Sequence, residues 1–399
     1  MRRHDCAAGP AFGPTAIDAF LTIQQDPPDP TDPDHIVHRS SIPDDVVALL
    51  REGTVIPAHP LALDAERRLD HRRQRALTRY YVEAGSGGLA VGVHSTQFAI
   101  RERGLYAPVL ELAAQSAVEH LHRLGESRPL ALIAGLAGHT QQAVGEARTA
   151  VSIGYHCGML SLAAMRGSTI DELIAHCETI AAEIPLVGFY LQTAVGGIDL
   201  PVEFWRRFAS IDNVIAIKIA PFNRYRTLDV ARGVALARAE ERVTLYTGND
   251  DHIVTDLLAP LSVRRPNQSG TAIEEVRIPI RGGLLGHWSV WTRSAVQLFD
   301  RIRAARGQAV VDAELLALDA RVTDCNAALF DVRHGFAGCI AGCHEVLRRQ
   351  GLLEGIWCID PSETLSPGQA DELDRVCREH ADLTDDAFVR DGLARWLAD

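Results

Sequence analysis

The sequence has no apolar run approaching the roughly 18 residues that a bilayer-spanning helix needs. Its opening stretch, MRRHDCAAGPAFGPTAIDAF, holds no continuous apolar segment either, so neither a membrane anchor nor a secretory signal is expected. Basic runs are also missing. Forty Lys and Arg stand against 52 Asp and Glu, a formal net charge of −12, which makes nucleic acid an unfavourable partner. Eight cysteines in 399 residues fall short of a disulfide scaffold and read as reduced thiols of a cytoplasmic protein. A dinucleotide fingerprint is absent as well. The glycines of GGLLG (282–286) lack the required spacing and following acid, which leaves a tight turn or a cradle for a small anion.

What is present is ordinary globular composition, 47% hydrophobic and 23% charged, enough to bury a large core. Residues 1–45, with the Pro- and Asp-rich QQDPPDPTDPDH at 24–35, read as an extended arm. Short, uniformly apolar runs then alternate with amphipathic segments. The runs are TVIPA (54–58), GLAVGV (88–93), PLALIAG (129–135), GMLSLA (158–163), PLVGFYL (185–191), VIAIKI (214–219), VTLYTG (243–248) and the weaker VRIPIRGG (276–283). Runs of this kind suit strands buried on both faces. The segments between them, such as 63–85 and 140–154, suit helices, the first closing at Gly85. Eight such units predict a (β/α)₈ TIM barrel over 46–290. A doubly wound open sheet is the second choice. After residue 285 only helical patterns follow, at 290–305, 311–329, 333–350 and 367–381, so 291–399 is expected to be an all-helical C-terminal extension.

Barrel active sites lie at the C-terminal ends of the strands. Lys218 sits there in an otherwise apolar strand. Burial lowers a lysine pKa and frees a nucleophilic amine for a Schiff base; the position equally suits a lysine that snorkels to the rim or pairs with a carboxylate. Tyr190, near the end of the preceding strand, is expected at the same mouth, where a phenol shuttles protons, or else packed in the core. His94, Ser95 and Thr96 follow the second strand and offer donors to a carboxylate, or a helix cap.

These residues carry a pattern. The chain resembles the dihydrodipicolinate synthase / N-acetylneuraminate lyase superfamily of class I, Schiff-base aldolases, from about Gly53 to Leu383. In that family a strand-borne lysine follows a strand-end tyrosine by some 28 residues, and here 218 − 190 = 28, with FYLQTAVGGIDLP leading to NVIAIKIA. PLALIAGLAGHTQQAVGEA, LYTGNDD and GLLEGIWCIDPSETLS resemble its third strand and turn, its seventh-strand turn and its C-terminal region. The resemblance implies Lys218 as the Schiff-base residue, Tyr190 as proton carrier, and Gly248 and Asn249 in the pocket wall. It also implies a homodimer or homotetramer. Departures bear on substrate. The family's Thr-Thr pair falls on His94 and Ser95 and its Glu on Gln97; its carboxylate-holding Arg falls on Val195; and SLAAMRGST (161–169) replaces a Tyr-bearing turn. Lysine-pathway synthase activity is therefore not expected.

Metal ligation is not expected. Cys339, Cys343 and His344 lie at helical spacing without a partner pair, and Asp250-Asp251-His252 is isolated, shaping the mouth or capping a helix. Trp288 and Trp291 read as packing between barrel and extension. The resulting expectation is a lyase, aldolase or dehydratase that acts on a 2-oxo acid or related carbonyl compound through Lys218, with no metal or organic cofactor. A barrel that binds a small carboxylate without catalysis and a metal-dependent lyase are the alternatives.

Overall fold

The computed structural model describes residues 37–398; most of the expected arm lies outside them. Eight parallel strands form the central sheet: β1 Val55–Pro57, β2 Gly88–Val91, β3 Ala131–Leu136, β4 Cys157–Leu160, β5 Leu186–Leu191, β6 Val214–Ala220, β7 Thr244–Thr247 and β10 Ile280–Leu285. Their order is β1-β10-β7-β6-β5-β4-β3-β2, and a parallel bridge between Ala58 and Ala90 joins the two ends into a barrel. Seven helices run between or just before these strands: α1 Asp44–Glu52, α2 His71–Ala84, α3 Tyr106–Leu124, α4 Thr140–Ile153, α5 Ile170–Ala181, α6 Val202–Ser210 and α7 Arg224–Leu236. The short α8, Ile253–Leu258, follows β7. The expected TIM barrel is thus the observed fold.

Each strand is sandwiched between the barrel interior and the helical ring, which explains its unbroken apolar runs. Alternate residues point to opposite faces. Val187, Phe189 and Leu191 of β5 and Ala216 and Ala220 of β6 join the inner cluster, while Leu186, Tyr190, Ile217 and Ile219 join the outer one. At the N-terminal end, Ile42, Val46 and Leu50 extend the inner cluster, and the Tyr246 hydroxyl donates to the Leu50 carbonyl at 2.8 Å. The boundary expected for the arm, residue 45, falls within α1, which closes this floor.

Some local expectations need correction. The run at 276–283 spans two strands. Ile278 ends β9 (Ile273–Ile278), which pairs antiparallel with β8 (Leu261–Pro266), and the barrel strand β10 begins at Ile280. The β8–β9 hairpin lies outside the barrel against α7. The helix expected from 63 starts at His71, where the Asp70 side chain caps Arg73 N at 3.0 Å; Gly85 closes it in the left-handed conformation at φ 96°.

The C-terminal extension contains α9 Thr292–Ala305, α10 Ala313–Leu329, α11 Cys339–Arg349, α12 Gln369–Glu379 and α13 Asp386–Trp396. The last lies beyond the helical patterns expected from the sequence. It is anchored on α2: the buried Trp396 ring packs 5.4 Å from that of Tyr80, and its Nε1 donates to Glu83 at 2.7 Å. The Tyr80 hydroxyl donates to Asp385 at 2.7 Å. Trp288 and Trp291 are buried between barrel and extension. Trp396→Ala is expected to cost about 3–5 kcal/mol and to lower Tm by several degrees in a thermal melt. An unchanged Tm would mean that this ring does not anchor the helix.

Candidate active site

A cavity opens at the C-terminal ends of the strands. Its floor comes from the barrel: Ser95 and His94 after β2, Phe189 and Leu191 on β5, Lys218 and Ala220 on β6, and Gly248 and Asp250 after β7. Its roof comes from the extension, with Phe330, Phe336, Cys339, Ile340, Cys343 and His344. Helices thus cover the end of the barrel where Lys218 and Asp250 lie.

Lys218 points inward because it shares parity with Ala216 and Ala220. It is only 7% exposed, and its Nζ sits 4.6 Å from the Phe189 ring centroid. Gly248 makes room for it: a Cβ there would stand 2.7 Å from Lys218 Cε and 2.8 Å from Ala220 Cβ. Burial lowers the pKa of the amine, against the pull of Asp250. Lys218 is also the one lysine in the chain; every other residue of the forty Lys and Arg is arginine. An arginine supplies charge and bidentate hydrogen bonds but not a deprotonatable primary amine. The single retained lysine therefore occupies the place where an amine differs most from a guanidinium.

Asp250, which the sequence with Asp251 and His252 leads one to expect only to shape the mouth or cap a helix, lines the cavity itself, together with Lys218. It is 8% exposed, and its Oδ1 is buried without a hydrogen-bond partner. Burial pushes its carboxyl well above the usual range, opposed by Lys218, with Asp251 adding to the rise and the His287 backbone opposing it. The extension fixes this loop. Asn326 Nδ2 donates to the Asp250 carbonyl at 2.6 Å, Thr323 to the Asp251 carbonyl at 3.0 Å, and Asp319 accepts from Val254 N at 2.9 Å. In sequence, an acid one residue past a strand-end Gly-Asn turn resembles a cap, and only the packing of α10 reveals its burial.

The other expected residues divide. His94 and Ser95 line the cavity. Burial, helped by the Lys218 charge, lowers the His94 pKa to about 4, so its imidazole is neutral at pH 7. Ser95 Oγ donates to the Ala58 carbonyl at 2.8 Å and keeps its lone pairs for a ligand. Thr96 is instead structural: its hydroxyl donates to the His59 carbonyl at 2.6 Å and accepts from Gly92 N at 3.0 Å and Val93 N at 3.2 Å. Asn249 also turns from the cavity. It bonds Thr227 at 3.1 Å and Asp256 at 3.0 Å and accepts from Phe222 N at 3.1 Å, tying two rim loops together from behind.

Tyr190 requires the largest correction. Its ring faces the helices, 5.2 Å from Trp205, and its hydroxyl donates to Asp199 Oδ1 at 3.0 Å and accepts from Leu200 N at 3.3 Å. Pairing sets Phe189, not Tyr190, opposite Lys218. The spacing of 28 residues points one position too far along β5, so the inward ring beside the lysine carries no hydroxyl. Val195, at the position compared with a carboxylate-holding arginine, lines the cavity as an apolar residue.

Outside the cavity, Asp324, Glu379 and His380 approach one another on the extension, but Arg375 already bonds Asp324 at 2.8 Å and Glu379 at 2.9 Å. Cys339, Cys343 and Cys358 are free thiols whose pKa burial raises. No helix among the described residues is long and apolar enough to cross a membrane.

No curated protein matches this sequence. The fold is similar to that of N-acetylneuraminate lyase from Fusobacterium nucleatum, at 14% identity and TM-score 0.63 over 82% of this chain and 98% of that one. It is similar to a chloride-inhibited dihydrodipicolinate synthase from Acinetobacter baumannii complexed with pyruvate, at 16% and 0.63 over 82% and 99%. A putative dihydrodipicolinate synthetase from Pseudomonas aeruginosa gives 17% and 0.64 over 82% and 99%. The profile of the dihydrodipicolinate synthetase family matches residues 52–260, more than half of the chain and every barrel strand but the last, and the protein belongs to that family.

Proposed function

We propose that the protein is a class I, lysine Schiff-base lyase or aldolase acting on a 2-oxo acid or related carbonyl compound. The observation that carries this reading is the single lysine of the chain, buried at the barrel mouth beside a buried carboxyl. Membership of a class I aldolase and lyase family supports the class of enzyme.

In the proposed reaction the neutral Lys218 amine adds to the substrate carbonyl carbon, and the oxygen takes up a proton to give a carbinolamine. Asp250, in its protonated form, donates the proton with which that hydroxyl leaves as water. The products of this step are an iminium and a carboxylate, which attract one another in the low-dielectric cavity. The iminium then accepts the electrons of a breaking carbon–carbon bond, or of an α carbon–hydrogen bond, in which case the resulting enamine expels a β-hydroxyl as water with the carbon–oxygen electron pair. Asp250 carboxylate takes the proton from a substrate hydroxyl or α-carbon, and hydrolysis of the imine returns Lys218. Ser95 and neutral His94 hold substrate oxygens. Tyr190 has no part in this scheme. A barrel that binds a carbonyl ligand without turning it over is favoured by the missing phenol, and is distinguished by adduct formation without turnover.

Borohydride added with a 2-oxo acid should attach one ligand, mapped by peptide mass to Lys218. Lys218→Arg should keep the charge and abolish both adduct and turnover; an adduct at the N-terminal amine alone would sink the assignment. Tyr190→Phe should change the turnover rate less than about threefold and cost about 1 kcal/mol of stability through its lost hydrogen bond. A drop in turnover by a factor of about a hundred or more, the scale of a lost acid–base group, would restore Tyr190 to the mechanism.

The pH dependence follows from the same pair. Labelling requires the neutral amine, so it should rise with pH around a midpoint below the ordinary lysine value of about 10.4. In Asp250→Asn the carboxylate no longer stabilises the ammonium. The midpoint should therefore move further down, while turnover at its optimum falls by roughly 10²–10⁴. An upward or absent shift, or an unaltered turnover, would remove Asp250 from this role.

A further inference from the structure

The cavity is divided by chemistry as well as by origin. Its charged side chains lie on the strand ends, and its roof is mostly apolar, with His344 as the roof's one imidazole. Phe222, after β6, and Phe336, before α11, meet across the rim with ring centroids 5.6 Å apart. Both hold left-handed backbones, at φ 51° and φ 71°, a region that bulky side chains rarely occupy and that persists only where the surroundings hold it. Asn249 accepts from Phe222 N at 3.1 Å, and the Asp331 carbonyl accepts from Phe336 N at 3.0 Å, so hydrogen bonds enforce both conformations. Phe330, Ile340, Leu191 and Val195 continue the same wall.

The charge inventory is equally one-sided. Arginine is the chain's general-purpose cation, yet no arginine of the described residues lines the cavity. His94 and His344 are neutral at pH 7, their pKa values lowered to about 4 mainly by burial. Lys218, though burial lowers its pKa, is thus the cavity's one group able to carry a positive charge near neutral pH, and in the proposed reaction it is committed to the carbonyl. A second anionic group on a substrate would meet Asp250, apolar rings or neutral groups such as Gln192 and His344, with its water stripped away and no cation in return.

We infer that this site takes a carbonyl substrate bearing an apolar group of about ring size and no more than one carboxylate, the apolar group lying against the Phe222–Phe336 wall. The inference rests on the proposed imine at Lys218 and deepens it. Residues 330–344, which supply much of the wall, lie outside the segment matched by the family profile. The carbonyl carbon lies over the Lys218 amine, the oxygen toward His94, Ser95 and Asp250, and the ring toward the roof, where it displaces water from apolar surface.

Reductive trapping tests this directly on the full chain. Phenylpyruvate, pyruvate and 2-oxoglutarate each carry a 2-oxo acid head, differing in an apolar ring, no extension, and a second carboxylate. With cyanoborohydride, phenylpyruvate should half-label Lys218 at roughly a tenth or less of the concentration that either of the others requires, the scale expected for burying a group of this size. Equal or better labelling by pyruvate or 2-oxoglutarate would overturn the inference while leaving the imine intact. Labelling of Lys218 by none of the three would overturn the imine reading and this inference with it. In Phe336→Ala the preference for phenylpyruvate over pyruvate should shrink to within about threefold. A preference unchanged in a variant with a cooperative melt would overturn the assignment of this wall.

Discussion

Removing one primary amine from water constrains the whole mouth of this barrel. An isolated ammonium in an apolar cavity is costly, so the group is driven toward its neutral form unless a partner holds the charge. Lys218 meets that constraint with Phe189, whose ring face favours a cation, and with Asp250, which is itself buried and driven toward the protonated form. The two costs oppose each other through one proton. Gly248 gives the amine its space, and the bonds from Asn326 and Thr323 hold the loop that carries the carboxyl. The pair is therefore held from two sides, by its strand ends and by hydrogen bonds from the extension.

The division of labour between barrel and extension follows. Strand ends position the polar groups with the precision of a hydrogen-bonded sheet, and the C-terminal helices exclude water from them. Because α10 both grips the Asp250 loop and leads to Phe330 on the roof, the packing of the extension is coupled to the electrostatics of the floor. At the opposite end, Val46 and Leu50 close the barrel with aliphatic side chains. One end of the same fold is filled for stability, and the other is hollow and covered.

Much of this is legible in the residues. The apolar runs mark the barrel strands, because parallel strands under helices show no polar face. That same uniformity hides their parity. In PLVGFYL nothing marks which side chains face inward, so a family spacing of 28 selects Tyr190, whereas pairing with β6 selects Phe189. The β8–β9 hairpin escapes the pattern for a different reason. In β8 buried Leu261 and Val263 alternate with exposed Ser262 and Arg264, and in β9 half-buried Val276 lies between exposed Glu275 and Arg277, a period-2 pattern unlike the uniform runs of the barrel. The closing helix α13 has charges at most exposed positions and is secured by a few anchors, Trp396 above all, that composition does not single out. Asp250 requires the fold, since its burial is created by helices that follow it far along the chain. The solitary lysine, by contrast, is open to simple counting.

In the proposed reaction a carboxyl takes the part that the family resemblance implies for a phenol, and this would change how the pair works. A phenol with a pKa near 10 is a donor throughout the neutral range whatever the state of the lysine. A carboxyl is a donor only when protonated, and burial beside an amine ties that condition to the loss of a proton from nitrogen. In the proposed reaction the neutral forms supply both the nucleophile and the acid that the first steps of imine formation need, while the charged forms supply neither. One proton position would thus set both proposed roles together. This is why the apolar roof matters to the chemistry as well as to recognition: each water admitted would favour the ionic pair, and each ring over the cavity favours the reactive one.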